Sequence, residues 1–200
     1  MTCIVACAEK GKVVIGGDSA LTDEDFQQLS MAETKVFRHG PAGEFLIGGS
    51  GSARGGQLLR FKFTPPKHPA KMDNDCYMAT LWVDSLRETL KAGGHVYFEA
   101  QGGEETSTTN ALIGYRGAIW VMYGADFQIE RVRDNFVAIG SGSPLALGAM
   151  HATQEMGATR ARVELALKAA CAFNAACRPP FTILTLEQPR ASSAAPVHRK

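Results

Sequence analysis

The sequence predicts an α+β protein built as a four-layer αββα sandwich, with two antiparallel sheets between helix pairs. Three observations carry this. The β-branched apolar runs come in hairpins joined by short turns, which makes neighbouring strands antiparallel. The amphipathic stretches come in consecutive pairs, which fits a parallel βαβ arrangement poorly. The order along the chain is strands, helices, strands, helices, strand, so each sheet can receive one helix pair.

Taken in order, residues 2–8 ("TCIVACA") and 12–18 ("KVVIGGD") flank "EKGK" and form the first hairpin. The polar stretch "LTDEDFQQLSMAET" reads as a loop. "KVFRH" and "EFLIGGSG" make a second hairpin around "GPAG". "SARGGQLLRFKF" predicts a helix weakened by Gly55 and Gly56, and the three prolines of "TPPKHPAKMDND" mark a connector. Met78, Leu81, Trp82, Leu86 and Leu90 line one face of a second helix. "AGGHVYFEAQGGEETSTT" is glycine-rich and polar, a long loop carrying Glu99, Glu104 and Glu105 with Tyr97 and Phe98. Four strands follow, in "NALIGYRG", "AIWVMYG", "FQIERV" and "FVAIGSG". "SPLALGAMHATQEM" is a helix with Ser143 as N-cap and Pro144 in its first turn. "TRARVELALKAACAFNAAC" is its partner, and "FTILTLE" the closing strand. Residues 2–188 are expected to form one domain. The Pro/Ala/Ser-rich tail 189–200 is expected to be disordered.

Composition narrows the function classes. The chain has 200 residues, a net charge of +1 and 45% apolar residues, ordinary for one globular domain. It has no basic excess of the kind that nucleic acid attracts, and no run long enough to span a membrane. The opening lacks the charged start of a signal peptide. The five cysteines, Cys3, Cys7, Cys76, Cys171 and Cys177, lie mostly in apolar runs without CxxC spacing, which predicts reduced thiols and a cytoplasmic protein. His68, His95 and His151 read as surface or loop residues rather than bases.

The chemistry is sought at the beginning. If Met1 is removed, Thr2 joins a hydroxyl to a free α-amine. A threonine hydroxyl needs an adjacent base to act as a nucleophile, and an α-amine with a pKa of about 8 is suited to that at neutral pH. Such a site needs a lysine to keep it electropositive, an aspartate to hold the lysine, and glycine-loop N–H groups to receive an oxyanion. Asp18 ends the second strand in "GGDSALT". Lys35 opens the third in "ETKVF". "GGSGS" follows the fourth, and "GSGS" follows "FVAI". The latter could be a phosphate loop at a helix N-terminus, but no GK[ST] follows it.

In "TCIVA", "VVIGGDSALT", "TKV", "GGSGSARG" and "VAIGSGSPLALGAM", taken in this order and spacing, the chain resembles β-type subunits of the proteasome family. These are N-terminal-nucleophile hydrolases, here of the HslV-like kind that includes the betaproteobacterial proteasome homologues. The resemblance covers roughly residues 2–188. It implies Thr2 as nucleophile, Asp18 and Lys35 as the supporting pair, Gly49 as an oxyanion donor and Ser141 as a hydrogen-bond partner of the terminal amine. Thr22, with Leu21 and Ser50, would bind substrate backbone as an added strand. Lys35 falls one residue later than usual. The family's further aspartate has no clear counterpart, and "CAFNAAC" offers Asn174 instead. No cofactor is required. A monovalent or magnesium cation on the carbonyls of Cys171, Asn174 and Cys177 is a further implication.

The resemblance also implies a threonine peptidase acting on unfolded polypeptides inside a double homomeric ring, a dodecamer or tetradecamer, with an ATP-dependent unfoldase as a potential partner. The alternatives are a non-catalytic ring subunit that keeps Met1, and a small-amide hydrolase of the same superfamily. The three-glutamate loop would line the entry pore with negative charge, having no nearby lysine or arginine.

Overall fold

The computed structural model describes residues 2–22, 27–98, 103 and 105–188. The chain runs β1 (Ile4–Glu9), β2 (Lys12–Gly17), β3 (Ala20–Thr22), β4 (Gln28–Ser30), β5 (Val36–His39), β6 (Phe45–Gly51) and α1 (Ala53–Phe61). Then come α2 (Asn74–Tyr77), a π turn (Met78–Trp82) and α3 (Val83–Ala92), which together make one continuous helical stretch. After these follow β7 (Tyr97–Phe98), β8 (Glu105–Thr106), β9 (Thr109–Tyr115), β10 (Ala118–Met122), β11 (Ile129–Arg131) and β12 (Phe136–Ile139). The chain closes with α4 (Ser143–Ala152), a 3₁₀ turn (Gln154–Met156), α5 (Arg160–Phe173) and β13 (Thr182–Glu187).

Two antiparallel sheets dominate, ordered β12-β1-β2-β13 and β11-β10-β9-β6-β5. Three apolar clusters fill the three spaces of a four-layer sandwich. Ile4, Ala6, Val13 and Ile15 meet Val36, Leu46 and Leu112 between the sheets. Cys3, Val5, Cys7 and Val14 point the other way, onto Ala146, Met150, Val163 and Leu167 of α4 and α5. Phe45, Ile47 and Ile113 pack beneath Leu58, Trp82, Leu86 and Leu90. Alternation along β1 thus feeds two cores at once. The predicted αββα sandwich is the observed architecture.

The structure corrects several local expectations. The polar stretch after Asp18 is not all loop: β3 and β4 form a hairpin with Leu21 opposite Leu29. The long loop after α3 contains the short β7–β8 ladder. Leu81 lies off the buried face at 38% exposure, whereas Met78, Trp82, Leu86 and Leu90 are buried. Their strict spacing of four exceeds the about 3.6 residues per turn of an α-helix, and the π turn absorbs the excess. The N-cap of α4 is Gly142, which makes no side-chain cap, rather than Ser143. Glu99, Glu104 and the tail 189–200 lie outside the described residues. Among the described residues, no helix is long and apolar enough to cross a membrane.

Candidate active site

The site lies where the first residues of the chain, the end of β2, the start of β5 and the β12–α4 turn converge. Gly17 and Gly48 both face Ile4: a Cβ on Gly48 would come 2.5 Å from the Ile4 Cγ2, and one on Gly17 2.8 Å from its Cδ1. Bare backbone here lets the two sheets close tightly beside Thr2.

Asp18 is the hub. It is 2% exposed, and its carboxylate accepts four donors. Oδ1 takes the Cys3 N–H at 2.9 Å and the Lys35 Nζ at 2.9 Å. Oδ2 takes the Ala20 N–H at 2.9 Å and the Arg178 N–H at 3.4 Å. The backbone reciprocates, because the Asp18 N–H donates to the Cys3 carbonyl at 3.2 Å. A buried carboxylate is tolerated when it is so fully hydrogen-bonded. The lysine side chain is 17% exposed and is held one residue from Thr2 through the shared oxygen.

Thr2 is itself 6% exposed. Its nitrogen lies 3.3 Å from the Ser141 Oγ, which in turn can donate to the Thr2 carbonyl at 3.4 Å. The Gly142 N–H donates to the same carbonyl at 3.2 Å. The turn can approach this closely because Gly140 has φ +90°, and a Cβ there would sit 2.2 Å from the Thr2 oxygen. Asn174 braces the turn from below, its Nδ2 donating to the Ser141 carbonyl at 2.8 Å.

The remaining predicted residues fall around this centre. Gly49 lies on β6 with open space where a Cβ would stand, and its N–H donates to the Lys35 carbonyl at 3.1 Å. Ser50 is buried, and its Oγ has no partner among the described residues. Leu21 and Thr22 lie on β3, which among the described residues pairs only with β4. The Thr22 Oγ1 likewise has no partner there. The turn from Cys171 to Cys177 is closed by its own bonds. The Asn174 N–H donates to the Ala170 carbonyl at 2.9 Å, and the Cys177 N–H to the Asn174 carbonyl at 3.1 Å. These contacts neither require nor fix a cation.

Asn174, the residue that "CAFNAAC" offered, holds the Ser141 carbonyl through its amide. Two contributors were not visible in the sequence, the N–H groups of Cys3 and Arg178, which complete the Asp18 cradle. Backbone donors carry no residue-type signal, and Arg178 lies 160 positions from Asp18. Outside the site, His95 lies in the loop after α3 and is buried there, 5% exposed, and one expectation is corrected. Glu105 is ion-paired with Lys91 and lies 3.8 Å from the Arg87 Nε, so it is not an unopposed negative charge.

No family model matches the sequence, and no curated protein matches it. Solved structures do. The chain is similar to Thiobacillus denitrificans BPH, at 25% identity and TM-score 0.76, over 94% of this chain and 100% of that one. It is similar to the same protein in complex with epoxomicin, at 24% identity and TM-score 0.75, over 93% and 98%. Eukaryotic HslV from Trypanosoma brucei matches at 18% identity and TM-score 0.62, over 94% and 100%. The fold is that of the N-terminal-nucleophile hydrolases. Within that class the chain's similarity is to proteasome-β/HslV-like proteins, of the betaproteobacterial proteasome homologue type.

Proposed function

We propose that the protein is a threonine peptidase whose nucleophile is Thr2, exposed as an amino terminus once the residue before it is removed. The observation that carries this reading is the Asp18 carboxylate oxygen shared between the Lys35 ammonium and the Cys3 N–H. That arrangement sets a fixed positive charge beside the first residue of the strand.

In the reaction the Thr2 Oγ attacks the scissile carbonyl while the α-amine accepts its proton. The Ser141 Oγ, 3.3 Å from the Thr2 nitrogen, orients that amine. Lys35 favours the unprotonated amine and stabilises the negative charge that develops. The Gly49 N–H serves as oxyanion donor by sharing its hydrogen between the Lys35 carbonyl and the tetrahedral oxygen, as three-centre bonds allow. Collapse releases the amine product, with the proton returned from the terminal amine, and water hydrolyses the Thr2 ester by the same proton path. Substrate lies along the open edge of β3 as an added strand, with Leu21, Thr22 and Ser50 beside it. No step passes through a cation; an ion on the Cys171, Asn174 and Cys177 carbonyls would only stiffen the turn.

A nucleophile of this generality needs confinement, and a double homomeric ring provides it. Exposed Leu145, Leu147, Leu165 and Phe173 on α4 and α5 support self-association of that face. Unfolded polypeptides are the expected substrates, delivered with or without an ATP-dependent unfoldase. The second reading, a non-catalytic ring subunit, is favoured by the burial of Thr2 and the occupied Gly49 N–H. Intact mass and epoxyketone labelling separate the two. A chain that has lost what precedes Thr2 and takes up one epoxyketone is the peptidase; one that keeps it and stays unlabelled is the ring subunit.

A further inference from the structure

Three of the five cysteines gather directly behind the candidate nucleophile. Cys3 and Cys177 are 0% and 5% exposed and share one apolar cluster, with half-buried Cys171 against it. Each of these two thiols lies near enough to shift the other's titration. A methyl group built on Gly142 would lie 2.8 Å from both the Cys177 Sγ and the Cys3 Cβ. The two side chains therefore close on one point of bare backbone, no more than twice that distance apart. Among the described residues, no group of three or more His, Cys, Asp or Glu is placed to hold a metal ion.

We propose that Cys3 and Cys177 form an oxidisable thiol pair whose closure to a disulfide disables the Thr2 site. This deepens the peptidase reading and rests on it for its effect on activity, though not for the bond itself. The co-reactant is a hydroperoxide. One thiol, as thiolate, attacks the peroxide oxygen and becomes a sulfenic acid, and the O–O bond breaks to release water or an alcohol. The second thiol then attacks that sulfur, forming the S–S bond and expelling water. Two thiols lose two electrons and two hydrogens, and the peroxide is reduced.

The consequence follows from where the two chains are anchored. The Cys3 N–H is bound to Asp18 Oδ1, and the Arg178 N–H, next to Cys177, to Asp18 Oδ2. A disulfide brings its sulfurs to about 2.05 Å, well inside the contact distance of two free thiols. Drawing Cys3 toward Cys177 shifts the residue adjacent to Thr2 and opens the Asp18 cradle. Displacement of a reacting group by about 1 Å is enough to cost about 100-fold in rate.

The test uses the full chain and graded hydrogen peroxide, followed by denaturation, alkylation, digestion and mass spectrometry, with peptidase rates measured in parallel. Exposed Cys76 reports that oxidant has reached the protein. The expected result is a Cys3–Cys177 linked peptide, an intact mass lower by about 2 Da from the lost hydrogens, and a rate loss of at least about tenfold that dithiothreitol reverses. Cys177→Ser should give no link and the same rate with and without peroxide, while Cys76→Ser should still link. Oxidised Cys76 with Cys3 and Cys177 fully alkylated would overturn the proposal, as would a linked chain that cleaves peptide at the reduced rate. A chain that links but cleaves nothing even when reduced would sink the peptidase reading and leave the bond standing.

Discussion

Asp18 Oδ1 lies 2.9 Å from the Lys35 Nζ, and the same oxygen lies 2.9 Å from the backbone nitrogen of Cys3. The aspartate therefore aims a lysine and pins the strand that begins with Thr2. Replacing it acts on both. Asp18→Ala strands the N–H groups of Cys3 and Ala20 in a buried site and leaves the Lys35 charge without its carboxylate. Removing one partner of a buried pair costs about 3–5 kcal/mol, so the melting temperature should fall sharply along with activity.

Lys35→Ala separates chemistry from folding. The Asp18 carboxylate keeps its three backbone donors, so the circular dichroism spectrum should be unchanged. Peptidase activity should drop at least about 100-fold, as expected when a charge aimed at the reacting centre is lost. A variant that cleaves peptides as fast as the parent would remove Lys35 from the mechanism.

Thr2→Ala should abolish both hydrolysis and epoxyketone modification, because the adduct closes a ring over the hydroxyl and the amine of one residue. The measurement is intact mass after incubation with the inhibitor. Full labelling of Thr2→Ala would place the nucleophile elsewhere.

Legibility in the sequence followed locality. The hairpins around "EKGK" and "GPAG" could be read because turn residues and alternation are local signals. Asp18 could be read as a polar residue closing a strand after Gly16 and Gly17, and Lys35 as a charge opening the strand in "ETKVF". The β3–β4 hairpin could not, because its support is distant: the Gln28 Nε2 donates to the Ala175 carbonyl, and the Arg178 Nη1 to the Gln28 carbonyl. The burial of His95 was hidden for the same reason. A Cβ on Gly55 would come 2.9 Å from its ring, so a glycine 40 positions away makes its space. The pairing of Glu105 with Lys91 and Arg87 spans the loop between helix and strand, which residue spacing alone does not close.

Stability should rise with pH between about 5 and 7. Burial holds both His39 and His95 below the ordinary histidine value of 6.5. Between the folded and unfolded values the unfolded chain binds more protons, so the folded state gains as pH rises. The contribution is complete above 6.5 and is lost as pH falls toward the folded values. Glu9, lowered chiefly by the Ala158 N–H, adds a second loss below its ordinary 4.5. Melting temperatures measured across this range should show the slope, and His95→Phe should reduce it, since one of two such groups is removed. A flat parent profile from pH 5 to 7 would contradict the assignment.

The last prediction concerns Asn174, which stands where the family pattern led us to look for an aspartate. Its Nδ2 donates to the Ser141 carbonyl at 2.8 Å, and its Oδ1 accepts the Ala176 N–H at 2.9 Å. The amide thus uses its donor and its acceptor at once, one toward the Ser141 turn and one toward its own loop. An ionised carboxylate has no donor. Asn174→Asp keeps the Ala176 bond but sets a negative oxygen against the Ser141 carbonyl, pushing away the turn whose hydroxyl sits 3.3 Å from the Thr2 nitrogen. Asn174→Ala loses both bonds but introduces no repulsion. If Asn174 positions Ser141, kcat should fall in both variants, more in Asn174→Asp, with KM nearly unchanged because neither touches the β3 edge. Equal rates in Asn174→Asp and parent at pH 7.5 would show that the Ser141 turn holds its geometry without this amide.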